Sequence, residues 1–163
     1  MLLTSIMKTP IGTLTLVAHE HILLAAGFGP LGDLTARLDS TDYERGFTAV
    51  KTLPIISDLI SDYFDGDLTA FNGIQVRQPG AEFSQMVWKV MRKIPAGKTM
   101  SYADLAARAG SPAAVRAAGS ACARNLIAPI IPCHRVVKSG GALGNYAYGL
   151  SFKEELLRHE GAL

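Results

Sequence analysis

Cysteine is scarce in this 163-residue chain. Cys122 and Cys133 are the two present, too few for a disulfide framework. Free-thiol chemistry requires a reducing compartment, so the expected location is the cytoplasm. No run approaches the ~20 consecutive apolar residues of a membrane-spanning helix, and no membrane partner is expected. A basic stretch leading into an apolar core is also missing from the N-terminus, so no secretory signal is expected. Charge is sparse as well, at 18% against 48% hydrophobic residues. Disordered chains show the opposite balance, and the composition is that of a packed globular protein of one domain or two small ones. His19 and His21 have no Cys or carboxylate at ligand spacing, which argues against a metal site.

What is present is unevenly distributed. Residues 1–80 carry 5 Lys/Arg and 9 Asp/Glu, whereas residues 81–163 carry 11 and 5. A basic half on a balanced protein is the footprint of a polyanion ligand, most often nucleic acid, although a solvated surface explains it about as well. The composition shifts at the same place, near Arg77-Gln78-Pro79-Gly80. A scaffold domain is therefore expected over 1–78 and a functional one over 79–163. The first domain reads as α+β. Strands are expected over Leu2 to Met7, Gly12 to Ala18, Ile22 to Phe28 and Phe71 to Val76, with a helix over Leu53 to Phe64.

Helices dominate the second half. Phe83, Met86, Val87, Val90 and Met91 make a helical stripe with Trp88 beside it, and this helix stops before Pro95. Ser101 is placed to cap the next helix, with Asp104 at the third helical position, and Gly110 ends it. Ser111-Pro112 then reads as cap and first residue of another helix, running to about Arg124. Two helices joined by a short Gly-containing turn have helix-turn-helix spacing, a common arrangement that often binds nothing. The second of them is almost all Ala, Gly and Ser with one long cation, Arg116. Tight packing explains the small residues, whereas close approach to DNA explains Arg116 too.

The segment Ile131-Pro132-Cys133-His134-Arg135-Val136-Val137 places a soft nucleophile, a base and a cation within three residues. A buried cysteine is usually inert, but a neighbouring imidazole or cation lowers a thiol pKa and makes it reactive. On a regular strand Cys133 and His134 would face opposite ways; Pro132 favours a departure from ladder geometry. A last helix is expected from a Ser151 cap, with Glu154 completing a capping box, to His159-Glu160-Gly161. Glu160 in its last turn opposes the helix dipole, which suggests a cationic or histidine partner. Cys, His and Glu together would make a nucleophile, base and orienter.

An ordered set of motifs then resembles the O6-alkylguanine-DNA alkyltransferase family. It consists of Arg116-Ala117-Ala118-Gly119, Asn125, Ile131-Pro132-Cys133-His134-Arg135-Val136, Gly144-Asn145-Tyr146 and Leu156-Leu157-Arg158-His159-Glu160-Gly161. The resemblance implies a ribonuclease H-like first domain and a winged-helix-like helix-turn-helix in the second. It implies direct reversal of alkylation on O6-alkylguanine, and on O4-alkylthymine as a further substrate, in one turnover and without cofactor. Cys133 would accept the alkyl group, His134 would take the thiol proton through a water, and Glu160 would orient His134. Tyr102 would serve the departing guanine and Asn125 would brace the turn before the cysteine. Arg116 would fill the gap left by the flipped base, with Ala117, Ser101, Arg124 and Arg135 also against DNA. Tyr146, Ala147, Lys153 and Val136 would shape the base pocket, and Tyr148, which departs from the small residue of many relatives, would narrow it against bulky alkyl groups.

The implied partner is double-stranded DNA, approached from the minor groove by a monomer, with cooperativity left open. The metal ligands that some relatives carry in the first half are missing, so no structural zinc is expected, and Cys122 reads as packing. Two other functions compete. A non-catalytic binder of alkylated DNA would not need Cys133, and a cysteine hydrolase would not need Arg116 or the basic half.

Overall fold

The computed structural model describes residues 1–163. The architecture is mixed α/β, and the chain forms two compact units. One comprises residues 1–79 and 126–130; the other comprises 80–125 and 131–163. A cut at 78/79 drawn from composition misses the return of 126–130 to the first unit. There Ile127 bridges Ala26, and Leu126 joins the apolar cluster of Leu2, Val17, Leu24, Ala25 and Leu34. This segment is apolar enough to suit either core, and its partners lie about a hundred residues upstream.

In the first unit, β1 (Leu2–Thr9), β2 (Gly12–His19) and β3 (Ile22–Gly27) form an antiparallel meander. Two short strands complete a five-stranded sheet: β4 (Phe47–Ala49) runs parallel to β1 and β5 (Gln75–Val76) parallel to β3. The first three strands lie where alternation and turn residues put them. Two short helices, α1 (Leu31–Thr35) and α2 (Ser40–Glu44), are too brief to show a period and were not expected.

Helix α3 (Ile56–Phe64) starts three residues later than its apolar spacing suggests, because the Ser57 hydroxyl accepts from the Leu53 amide before the first turn. The strand expected over Phe71 to Val76 is only β5. Residues 70–73 form a 3₁₀ turn, in which Phe71 stacks on Tyr63 at a centroid distance of 3.9 Å. Aromatic burial overrides the β propensity of the segment there.

The second unit opens with α4 (Glu82–Arg92). Its buried stripe is Ser84, Val87, Trp88 and Met91, while Met86 is exposed. Relative to the expected stripe the helix is rotated by about one residue. Two polar groups explain the rotation: Trp88 Nε1 donates to the Ala121 carbonyl at 2.9 Å, and Ser84 Oγ accepts from Arg124 at 2.9 Å. Hydropathy does not register either contact. Trp88 also needs Gly80, since a Cβ there would lie 2.7 Å from the indole ring.

Helix α5 (Tyr102–Arg108) is capped by Ser101, whose hydroxyl accepts from the Asp104 amide at 3.0 Å, as the spacing predicts. The Ser111-Pro112 start is corrected. Residues 111–114 form a turn closed by the Ala114 amide on the Ser111 carbonyl, and α6 runs Val115–Arg124 without a side-chain cap. Two short parallel strands, β6 (Met100–Ser101) and β7 (Val136–Val137), tie the start of α5 to the segment after Cys133. The last helix, α7, spans Leu150–His159 behind Gly149, so Ser151 lies inside its first turn and the expected capping box does not form. No helix is long and apolar enough to cross a membrane.

Candidate active site

Residues 133–135 form a single 3₁₀ turn between Pro132 and β7. This is the departure from strand geometry that Cys133 and His134 require, since successive residues of such a turn do not alternate across a sheet. Cys133 is 8% exposed and lies on the wall of a cleft of about 700 Å³. Tyr102, Arg116, Cys122, Lys138, Tyr146 and Ala147 line the same cleft. His134 is fully buried behind it.

Behind the cleft lies a buried charge network. His134 Nε2 lies 2.8 Å from Glu160 Oε2. Arg135 grips the same carboxylate with a fork, Nε to Oε1 and Nη2 to Oε2, both at 2.9 Å, and Nη1 donates to the Ile94 carbonyl at 2.7 Å. The out-of-place glutamate of the last helix therefore has both a histidine and an arginine as partners. Burial alone would push the Glu160 carboxyl up. The hydrogen bonds of His134 and Arg135 and the charge of Arg135 outweigh it, and the carboxyl lies well below the usual carboxylate range.

Burial pulls the His134 imidazole below its ordinary value; Glu160 opposes this, while Arg135 and Lys153 add to it. The ring is thus neutral near pH 7, and Arg135 is the cation that anchors Glu160. A carboxylate only accepts, so the single ring proton sits on Nε2 and Nδ1 keeps its lone pair. Nδ1 is buried and has no protein partner. This is the arrangement of a base held by its far nitrogen.

The thiol does not behave as a cysteine beside a cation was expected to. Burial pushes Cys133 up; the Asn125 side chain, whose Nδ2 lies 3.5 Å from Sγ, and the charge of Lys153 pull it down by less. At rest Cys133 is a thiol, so it becomes a nucleophile only as a base removes its proton. Asn125 also donates to the Ile131 carbonyl at 2.8 Å, clasping both ends of the 126–130 excursion. It touches the sulfur as well as bracing the turn. Tyr102 is pushed up to about 12, first by burial and then by the two cysteines, so its phenol remains a donor. Cys122, also pushed up to about 12 by burial and Cys133, is an inert wall of the cleft rather than interior packing alone.

Other expected residues lie elsewhere. Arg135 cannot reach DNA, because it is 6% exposed with its guanidinium committed to Glu160 and Ile94. Ser101 spends its hydroxyl on the α5 cap, and Arg124, although exposed, is bound to Ser84. Val136 is fully buried and Tyr148 packs edge-on against Tyr146; neither lines the cleft. Lys153 is buried beneath the cleft, its ammonium donating to the carbonyls of Val136, Leu143 and Asn145. It shapes the 143–145 loop from below instead of meeting a ligand. Arg116 and Ala117 are exposed near the start of α6, and Arg116 lines the cleft. Lys138 lines it too, although a lone lysine beside a Ser-Gly-Gly turn carries no local signal in the sequence.

Residues 82–162 match the family model described as 6-O-methylguanine DNA methyltransferase, DNA binding domain. A methylated-DNA–protein-cysteine methyltransferase of Salmonella typhimurium is 39% identical over 166 residues, covering 99% of this chain and 97% of that protein. The crystal structure of the Mycobacterium tuberculosis O6-methylguanine methyltransferase superposes with a TM-score of 0.82 at 33% identity, covering 99% and 94% of the two chains. The same protein in complex with DNA gives a TM-score of 0.82 at 33% identity over 98% and 93%.

Proposed function

The chain belongs to the methylated-DNA–protein-cysteine methyltransferase family, and from that premise we propose that it repairs alkylated DNA by moving an alkyl group from guanine O6 onto its own Cys133. The observation that carries this reading is Cys133 on the cleft wall, with a neutral His134 behind it held through Nε2 by Glu160 and open at Nδ1.

The reaction is one displacement. As the Cys133 proton passes through a water to His134 Nδ1, the sulfur attacks the alkyl carbon. A carbon–sulfur bond forms, the carbon–O6 bond breaks, and its electron pair stays with the guanine. Tyr102 supplies a hydrogen bond to the departing base, and Glu160 stabilises the imidazolium as it forms. Water does not hydrolyse the thioether, so each molecule acts once. The thiol kept protonated by burial is protected from stray electrophiles until a substrate sits beside it.

An alkyl group on O6 lies within the base stack, so the nucleotide must leave the duplex at a cost of a few kcal/mol. Arg116 would occupy the gap, a role supported by its exposure at the start of α6 on the lining of the cleft. A helix of Ala and Gly suits the minor groove of a protein that must not read sequence. Support for the finer fold reading comes from the β1–β3 meander with β4 parallel to β1, which fits a ribonuclease H-like unit. The α5–α6 pair beside the β6/β7 ladder fits a winged-helix-like one.

The decisive experiment is mass spectrometry after incubation with duplex DNA containing O6-methylguanine. The peptide holding Cys133 should gain one methyl group, one per protein molecule. Tight DNA binding with no mass gain would leave only a damage-binding protein. Arg116→Ala is expected to weaken duplex binding by about tenfold or more, the scale of one lost charged contact of 1–3 kcal/mol. Reaction with free O6-benzylguanine should be little changed; equal losses in both assays would refute the gap-filling role.

A further inference from the structure

The second unit contains another cleft, of about 460 Å³, lined by Lys93, Lys98, Thr99, Arg108 and the apolar Val90 and Ile94 among others. No carboxylate lines it, and none of its three cations is ion-paired. Local structure explains part of this. Lys93 is the C-cap of α4 and Arg108 lies in the last turn of α5, places where helix dipoles favour cations. It does not explain why Lys98, from the turn between those helices, joins them around one depression with no counter-charge.

The cleft is also firmly built. Ile94 gives its carbonyl to Arg135 of the buried network. Gly97, at φ +89°, brings the turn so close to α7 that a Cβ would lie 3.1 Å from the Glu160 carbonyl. Nine of the eleven Lys/Arg of this half, all but Lys89 and Arg92, can then be traced. Arg135, Lys153, Arg158 and Arg124 have partners within the fold. Arg116 and Lys138 face the acceptor cleft, and Lys93, Lys98 and Arg108 face this one.

We infer that the Lys93–Lys98–Arg108 cleft is a second nucleic-acid contact, taking backbone phosphates of the duplex beyond the damaged nucleotide. This rests on the proposed action on DNA. Three exposed cations and the Thr99 hydroxyl can surround a phosphate group without reading a base, which suits a protein that searches any sequence.

The test is the salt dependence of binding to O6-methylguanine duplex, comparing the intact protein with K93A/K98A/R108A and with the single variant K98E. Each lost phosphate contact flattens the slope of log K against log salt by about 0.9. The triple variant should therefore lose about 1–3 in slope and bind more weakly at low salt, with K98E weakened in the same direction. Both should alkylate at the intact rate with free O6-benzylguanine, which also reports that they are folded. An unchanged slope in the triple variant overturns the inference. So does a variant that loses affinity for inorganic phosphate alone while binding duplex as the intact protein does, since the cleft would then serve a free anion. Failure of the intact protein to alkylate Cys133 at all would instead overturn the proposed function, so the two failures are distinct.

Discussion

Replacing Cys133 with alanine is expected to abolish alkyl transfer while leaving affinity for alkylated duplex at the level of the intact protein. No other group on the cleft can take over. Cys122 shares the wall but is held protonated to about pH 12, and its sulfur packs 3.7 Å from Met91 Sδ. The variant loses one small side chain at the cleft surface, and Asn125 keeps its bond to the Ile131 carbonyl, so the turn should hold. Transfer is measured by label retained on protein, and binding by titration with fluorescent duplex. Label on Cys122 would show that the cleft, and not the Cys133–His134–Glu160 arrangement, creates the nucleophile. Loss of binding together with transfer would mean that the thiol also holds the turn.

Glu160→Leu should cost the protein about 3–5 kcal/mol, the range for stranding one partner of a buried ion pair. Against a total stability of about 5–15 kcal/mol this threatens the fold, and it reads out as a lowered denaturation midpoint. Arg135 would be left buried with only the Ile94 carbonyl, and His134 would lose the acceptor that fixes its proton on Nε2. Glu160→Gln keeps the shape and one acceptor oxygen, so it should fold and transfer slowly. An intact transfer rate in this variant would make the relay unnecessary.

The same network sets the response to acid. His134 is buried neutral below its ordinary value of 6.5, so the unfolded chain binds its proton first. The Glu160 carboxyl is depressed, so its contribution is complete above the unfolded value of 4.5 and is lost as pH falls toward its folded one. Both signs agree. Stability should decline below about pH 6.5 and more steeply below about 4.5, with the second phase absent in Glu160→Gln. A flat stability between pH 7 and 5 would contradict a neutral buried His134.

Much of this was legible in the sequence because it is local. Strand alternation placed β1 to β3, the Ser101–Asp104 spacing placed the α5 cap, and a glutamate at the wrong end of a dipole announced that Glu160 had a partner. The adjacency of Cys133 and His134 pointed to a reactive thiol, and the ordered motifs shared with the alkyltransferase family named the chemistry. Other features depend on residues far apart in sequence. Arg135 looks like a free cation until a carboxylate 25 positions away takes both arms of its fork. Lys153 looks like a ligand-binding residue until the carbonyls of Val136, Leu143 and Asn145 enclose it.

The sequence alone determined which atoms could react: one thiol beside one imidazole, with a carboxylate in the last helical turn to steady them and a cation on a helix of small residues. Tertiary structure decided their states. It kept Cys133 a thiol and His134 neutral, turned Arg135 inward, brought Cys122 and Lys138 to the cleft, and gathered Lys93, Lys98 and Arg108 around another. Burial and the nearest opposite charge set a protonation state, and both are properties of packed neighbours that a linear chain does not display.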